Sequence, residues 1–240
     1  MRWIYLSPHL DDAALSAGGL IYEQTRAGQA VEVWTMMCGF PPPGELTPLA
    51  QVLHAQWGTS SAEDTVRLRR REDLKAGEIL GAKMVHFDLP DCIYRRAPHG
   101  EALYLDIFVP PHEEEAALPG QMAQMLAARL DADDVAVCPL ALGGHVDHRL
   151  VRQAAERLGR RLYYLADLPY LFKQPESLAA ATDGMNVSRY PITEAGLVAW
   201  VQAILAYGSQ LSTLFDAPEQ VEGLLRAFVG EWEGMPLWNF

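Results

Sequence analysis

Trp3-Ile4-Tyr5-Leu6-Ser7-Pro8-His9-Leu10-Asp11-Asp12 is the stretch from which the fold can be read. A short apolar run stops at Ser7-Pro8 and passes directly into an imidazole and two carboxylates. Helical spacing follows over 13–26, with Leu15, Leu20, Ile21 and Tyr22 among the apolar positions, and Gly28 closes it. The order is strand, turn, helix. Residues 30–37, rich in Val, Trp and Thr, read as a second strand, and the Pro-rich run 40–48 as a loop, part of a long loop over 40–59.

Working outward, Ser60 or Ser61 can cap a helix reaching Leu80 and Gly81. A third strand is expected over 84–89, ended by Pro90-Asp91, then an irregular insertion over 92–119. A helix over 120–130, a strand over 134–139, a helix over 149–160 and a strand over 162–165 follow. Beyond Asp167 the pattern gives a strand over 187–192 and amphipathic helices over 194–215 and 217–232, expected to pack on the sheet edge and wall one side of a pocket. Alternating strands and helices with near-continuous apolar strands imply an α/β fold, its mainly parallel sheet covered on both faces. The expected organisation is a single domain over 1–240, with an α/β core over 1–167 and C-terminal strand and helices over 168–240.

In such sheets ligands sit beyond the carboxyl ends of the strands. His9 to Asp12 follow the first strand, Asp91 the third, and His145-Val146-Asp147-His148 the fourth, so all fall on one sheet edge. His9, Asp12 and His148 offer two imidazoles and one carboxylate to a divalent metal, with a coordination position left open for chemistry. Asp11, His145 and Asp147 remain for acid–base work. Alternatively, Asp11-Asp12 merely cap a helix, as aspartates often do. Gly18-Gly19 lies outside any Gly-x-Gly-x-x-Gly pattern, and acidic residues at the helix start would repel a pyrophosphate. His54, His86, His99 and His112 lack a comparable context and read as loop or surface residues.

The chain of 240 residues is 50% hydrophobic and 21% charged, ordinary for a globular protein. Its formal net charge of −12 argues against nucleic-acid binding and against docking on anionic lipid. The basic cluster Arg67, Arg69, Arg70 and Arg71 shares its helix with Glu72, Asp73 and Glu78, which suits a salt-bridged face. No apolar stretch is long enough for a membrane span, and the N-terminal run is too short for a signal peptide. Cys38, Cys92 and Cys138 are too irregularly spaced for a disulfide framework and fit free thiols in a cytoplasmic protein.

Together these residues resemble the PIG-L/LmbE-like superfamily of zinc-dependent N-deacetylases, which act on N-acetylglucosamine-type groups. Ser7-Pro8-His9-Leu10-Asp11-Asp12-Ala13 is similar to its first motif, and Gly143-Gly144-His145-Val146-Asp147-His148 to its second. Arg69-x-x-Glu72, Leu80-Gly81, Leu89-Pro90-Asp91 and Ala206-Tyr207-Gly208-Ser209-Gln210 extend the likeness. The resemblance implies a Rossmann-like three-layer sandwich. It implies zinc on His9, Asp12 and His148, Asp11 as general base, and His145 as oxyanion stabiliser and acid. Asp147 would orient His145 and raise its pKa, so that the ring is cationic when the tetrahedral intermediate forms. Arg69 and Asp91 would hold the sugar.

Fe²⁺ or Mn²⁺ would suit the same donors. The implied substrate is a small soluble amino-sugar conjugate; a homo-oligomer is compatible. Ala13 departs from the usual acid, Leu10 and Val146 from prolines, and Gly143-Gly144 from the tyrosine some relatives turn to the oxyanion. Tyr94 and Tyr104 are the replacements the sequence offers. The rival functions are a non-catalytic metal- or sugar-binding relative, and an amidase cleaving a larger amide in a thiol conjugate.

Overall fold

The computed structural model describes residues 1–240. In chain order its elements are β1 (Arg2–Ser7), α1 (Asp12–Arg26), β2 (Ala30–Thr35), α2 (Pro48–Trp57), α3 (Ala62–Leu80), β3 (Lys83–His86), α4 (Leu118–Ala127), β4 (Val135–Pro139) and α5 (Val146–Glu156). There follow β5 (Leu162–Leu165), α6 (Tyr170–Lys173), α7 (Ser177–Ala181), β6 (Asn186–Tyr190), α8 (Glu194–Leu205), α9 (Leu211–Leu214), α10 (Val221–Trp232) and β7 (Met235–Asn239). No helix is long and apolar enough to cross a membrane.

The strands form one seven-stranded sheet in the order β3-β2-β1-β4-β5-β7-β6. The first five are parallel, while β7 runs antiparallel to both β5 and β6. From β1 the chain winds outward through β2 to β3, then returns to lay β4 against the other side of β1. Opposed winding at that point leaves a crevice beyond the carboxyl ends of β1 and β4. Both histidine-bearing motifs leave the sheet there.

Four expectations are corrected. Residues 48–57 form helix α2 rather than loop: Thr47 accepts from the backbone N–H of Ala50, and Pro48 occupies the first helical position. Helix α5 begins at Val146, not 149, because His145 is its N-cap. The helix expected over 194–215 stops at Leu205 and resumes as the short α9. The C-terminal residues add β7 to the sheet itself, between β5 and β6.

Helix α8 crosses α1 at the two consecutive glycines. A Cβ on Gly18 would stand 2.5 Å from the Trp200 ring, and one on Gly19 would stand 2.8 Å from it. The Trp200 indole donates to the carbonyls of Ala14 and Leu15 at 2.9 and 3.0 Å. Gly18-Gly19 thus serves close helix packing, which fastens the helix bearing Asp12.

Candidate metal and catalytic centre

Strand β1 ends at Ser7, and the Ser7 hydroxyl accepts from the backbone N–H of Ala13 at 3.1 Å. This leaves the carboxylates of Asp11 and Asp12 free of capping. Asp11 makes no side-chain cap bond, and Asp12 Oδ2 turns back to accept from the His9 backbone N–H at 2.8 Å. The helix-capping alternative is thereby excluded.

Asp12 Oδ2 lies 3.2 Å from His9 Nδ1 and 3.3 Å from His148 Nε2. Ring nitrogens of His9, His145 and His148 fall within 4.8 Å of one another. His148 Nε2 is buried and has no hydrogen-bond partner. A buried ring nitrogen without a hydrogen-bond partner, facing a second imidazole and a carboxylate, is what a divalent cation would satisfy. The local charge points the same way: Asp11, Asp12, Asp91, Asp147 and Asp167 gather against only Arg69 and Arg95. Burial acts to lower the His9 and His148 pKa values, but these carboxylates outweigh it and hold both above the ordinary imidazole value.

Each histidine is steered through its other nitrogen. His148 Nδ1 bonds Asp167 Oδ1 at 2.6 Å, and Asp167 Oδ2 accepts from the Leu142 N–H. His9 Nε2 bonds Asp147 Oδ2 at 2.9 Å. Carboxylates placed behind ligand imidazoles fix tautomer and orientation. Sequence reasoning missed Asp167, although it follows β5 on the same sheet edge.

Asp147 does not turn its carboxylate to His145 as expected, although its charge acts to raise the His145 pKa. Its carboxylate faces His9 and Arg95, and only its backbone N–H reaches His145, donating to Nδ1 at 3.1 Å. Burial, together with the neighbouring His9 and His148, holds the His145 pKa well below its ordinary value. That direction runs against the cationic ring expected, and with Nδ1 accepting from the Asp147 N–H a singly protonated ring carries its proton on Nε2. Cys92 Sγ, His145 and Asp147 also come within 4.8 Å of one another. Yet both Asp147 oxygens are already committed, to Arg95 and to His9 with the Cys92 N–H.

Asp11 is buried beside Arg69, whose guanidinium lies 3.4 Å from Asp11 Oδ2 and 3.6 Å from Asp91 Oδ2. Burial raises the Asp11 pKa to about 7, with Arg69 opposing. In Asp12 the balance is reversed: burial acts upward, but His148 and His9 hold the pKa well below the carboxylate range. Arg69 lies over the Trp57 ring at 5.2 Å, so of the basic cluster it alone is buried against the site, while Arg67 pairs with Glu63 at the surface. Asp91 also accepts from the Ile93 N–H through Oδ1.

These groups line a cavity of about 650 Å³ that includes His9, Asp11, Asp12, Arg69, Asp91 and His145. Its walls come from α2 (Leu53, Trp57), the 92–119 insertion (Ile107, Phe108), α6 (Tyr170, Lys173) and the residues around α9 (Gln210, Thr213, Leu214). Tyr94 and Tyr104, the expected oxyanion donors, do not line it. The Tyr94 hydroxyl bonds His54 Nε2 at 2.8 Å, which also makes His54 a buried core histidine rather than a surface one. The Tyr104 hydroxyl donates to Glu115 at 2.5 Å. Tyr170 lines the cavity in their place, its ring 5.6 Å from that of His148.

Two outlying segments of the sequence pattern meet in space. Glu72 accepts from the Ser209 N–H and hydroxyl at 2.8 and 2.6 Å, and the Tyr207 hydroxyl donates to Asp73 at 2.8 Å. These bonds fix the turn between α8 and α9, and with it the C-terminal wall of the cavity.

Comparison with known proteins accords with this geometry. The chain is 28% identical over 233 residues to 2'-N-acetylparomamine deacetylase of Niallia circulans, covering 89% of this chain and 82% of the relative. It is 27% identical over 226 residues to the protein of that name from Streptomyces fradiae, covering 87% and 73%. Among solved structures, the zinc-inhibited form of teicoplanin deacetylase Orf2 superposes with a TM-score of 0.84 at 26% identity, covering 100% of this chain and 97% of that one. The A40926 pseudoaglycone deacetylase Dbv21 gives 0.72 at 28% identity, covering 99% and 95%. The family described as PIG-L, GlcNAc-PI de-N-acetylase, matches residues 4–158, more than half of the sequence, and the chain belongs to that family.

Proposed function

We propose that the protein is a metal-dependent N-deacetylase that removes an acetyl group from the amine of an amino sugar on a small conjugate. The observation that carries this is the meeting of His9, Asp12 and the unpartnered His148 Nε2 at the β1/β4 crevice, with Asp11 and His145 on the same cavity. Relatives named as deacetylases of 2'-N-acetylparomamine and of the A40926 pseudoaglycone support the substrate class.

His9, Asp12 and His148 would hold the cation. Zn²⁺ is the favoured ion for two imidazoles and a carboxylate, and Fe²⁺ or Mn²⁺ would fit the same donors. Once bound, the ion supplies Lewis acidity, polarising the acyl carbonyl and lowering the pKa of water.

Asp11 takes the proton from the attacking water and, because the low His145 pKa does not suit that ring to the acid role expected of it, also returns the proton to the leaving amine. Its raised pKa suits a group that must both accept and give at neutral pH. Neutral His145 donates its Nε2–H to the oxygen that becomes negative in the tetrahedral intermediate. Arg69 and Asp91, side by side on the cavity wall, bond sugar hydroxyls. Trp57, Phe108 and Tyr170 supply apolar faces for the ring, and the cavity volume is of the size small-molecule sites occupy. Three buried free thiols suit a reducing compartment such as the cytoplasm.

The test is acetate release from zinc-loaded protein on a panel of N-acetylated amino sugars, repeated after chelation. Chelator-sensitive release from at least one amino sugar is expected. No release from any of them, with metal bound, would overturn the assignment.

A further inference from the structure

We infer that Arg95, from the 92–119 insertion, is a positioning residue for the metal centre and acts on His9 through Asp147. This builds on the metal site proposed above.

Asp147 is fully buried, and each of its carboxylate oxygens is committed. Oδ2 faces His9 Nε2 at 2.9 Å and accepts from the Cys92 N–H at 3.0 Å, while Oδ1 accepts from the Arg95 guanidinium at 2.6 Å. Arg95 is itself held in place. Its Nη2, which bonds Asp147, also donates to Glu115 Oε2 at 3.2 Å, the Pro90 carbonyl accepts from Nη1 at 3.2 Å, and the guanidinium stands 5.4 Å from the Tyr104 ring centre. The Tyr104 hydroxyl fixes Glu115 in turn. The line therefore runs Tyr104, Glu115, Arg95, Asp147, His9, all buried, and it joins the insertion to the ring that faces Asp12.

A buried carboxylate with one hydrogen-bonded face would be free to rotate. A guanidinium offers planar, directional donors, which a point charge does not. By pinning Oδ1, Arg95 holds Oδ2 against Nε2, keeps the proton of His9 on that nitrogen and leaves the Nδ1 lone pair directed at Asp12 and His148. The insertion also pins helix α5 directly, since the Val146 N–H donates to the Ile107 carbonyl at 2.8 Å. Its apparent irregularity in sequence thus conceals a brace for the catalytic edge of the sheet.

The experiment is the affinity of the full-length apo-protein for Zn²⁺ alone, by competition with a chromogenic chelator, read without substrate. Arg95→Gln should weaken binding about 10- to 100-fold, the usual consequence of losing support behind a ligand. Arg95→Lys should recover part of the loss. Arg2→Gln, which breaks a comparable partly buried ion pair with Asp134 far from the site, should leave the affinity unchanged. Unchanged affinity in folded Arg95→Gln, or an equal loss in Arg2→Gln, would overturn the proposal. If Arg95→Gln does not fold, Glu115→Gln is read instead: weaker Zn²⁺ binding supports the line of contacts, and wild-type affinity overturns it. Wild-type protein that fails to bind Zn²⁺ would overturn the metal site and this proposal together. Zn²⁺ binding without acetate release would overturn only the deacetylase assignment.

Discussion

His9 pairs through Nε2 with the carboxylate of Asp147 at 2.9 Å, although Asp147 stands two residues from His145 and 138 from His9. Sequence proximity suggested one partner, and the start of α5 selects another. His145 caps the helix with Nδ1, which uses the Asp147 backbone and leaves its side chain free to swing across the crevice.

The two histidines proposed as ligands are therefore supported alike, His9 by Asp147 and His148 by Asp167. Asp167→Asn removes the charge behind His148 while keeping the volume. Zn²⁺ affinity should fall about 10- to 100-fold, as outer supports of ligand histidines typically contribute. Chelator competition measures it, and wild-type affinity would deny Asp167 this role.

Asp11→Asn should leave Zn²⁺ binding intact and lower kcat by about 10²- to 10⁴-fold, the range for loss of a general base. The sign of the pH effect follows from burial, which raises the Asp11 pKa to about 7. The base must be ionised, so activity rises with pH as Asp11 loses its proton. A bound cation favours the ionised form and opposes burial, which puts the acid limb of the kcat profile between the ordinary carboxylate range and about 7. A limb that persists unchanged in residual Asp11→Asn activity belongs to another group.

Much of this centre was legible because its parts lie immediately beyond strand ends. The apolar runs of β1 and β4 place His9, Asp11, Asp12, His145 and His148 from sequence alone, with Asp91 following β3. Prolines concealed other features. Pro48 reads as a breaker yet starts α2, and Pro236 hides the interior strand β7, where a missing N–H is normally avoided. Arg95, Tyr104 and Glu115 lie in a segment without periodicity, and what gives them a role is contact with Asp147, 52 residues beyond Arg95. No local pattern encodes such a contact.

His145→Gln tests the oxyanion donor. Because burial and the neighbouring histidines hold the His145 pKa well below its ordinary value, the contribution proposed for it is a single N–H hydrogen bond to charge that appears only in the transition state. The loss should fall on kcat, by about 10²- to 10³-fold, with KM little changed. A variant altered chiefly in KM would instead place His145 in substrate binding.

Gly143 and Gly159 separate backbone strain from a functional close approach. Both adopt positive φ, +75° and +62°, so alanine at either should cost about 1–2 kcal/mol through the left-handed backbone. Their surroundings differ: a Cβ on Gly143 would stand 2.8 Å from Cγ and Cδ1 of Tyr170, whereas one on Gly159 would meet nothing within 4 Å. Gly159→Ala should lower Tm and leave kcat/KM unchanged. Gly143→Ala should lower Tm and also displace the Tyr170 ring from its place beside His148 and Phe108, reducing kcat/KM. Equal kinetics in the two variants would mean that the position of Tyr170 does not depend on the glycine beneath it. A selective loss would explain why residue 143 carries no side chain: the space one would fill belongs to an aromatic ring supplied by α6.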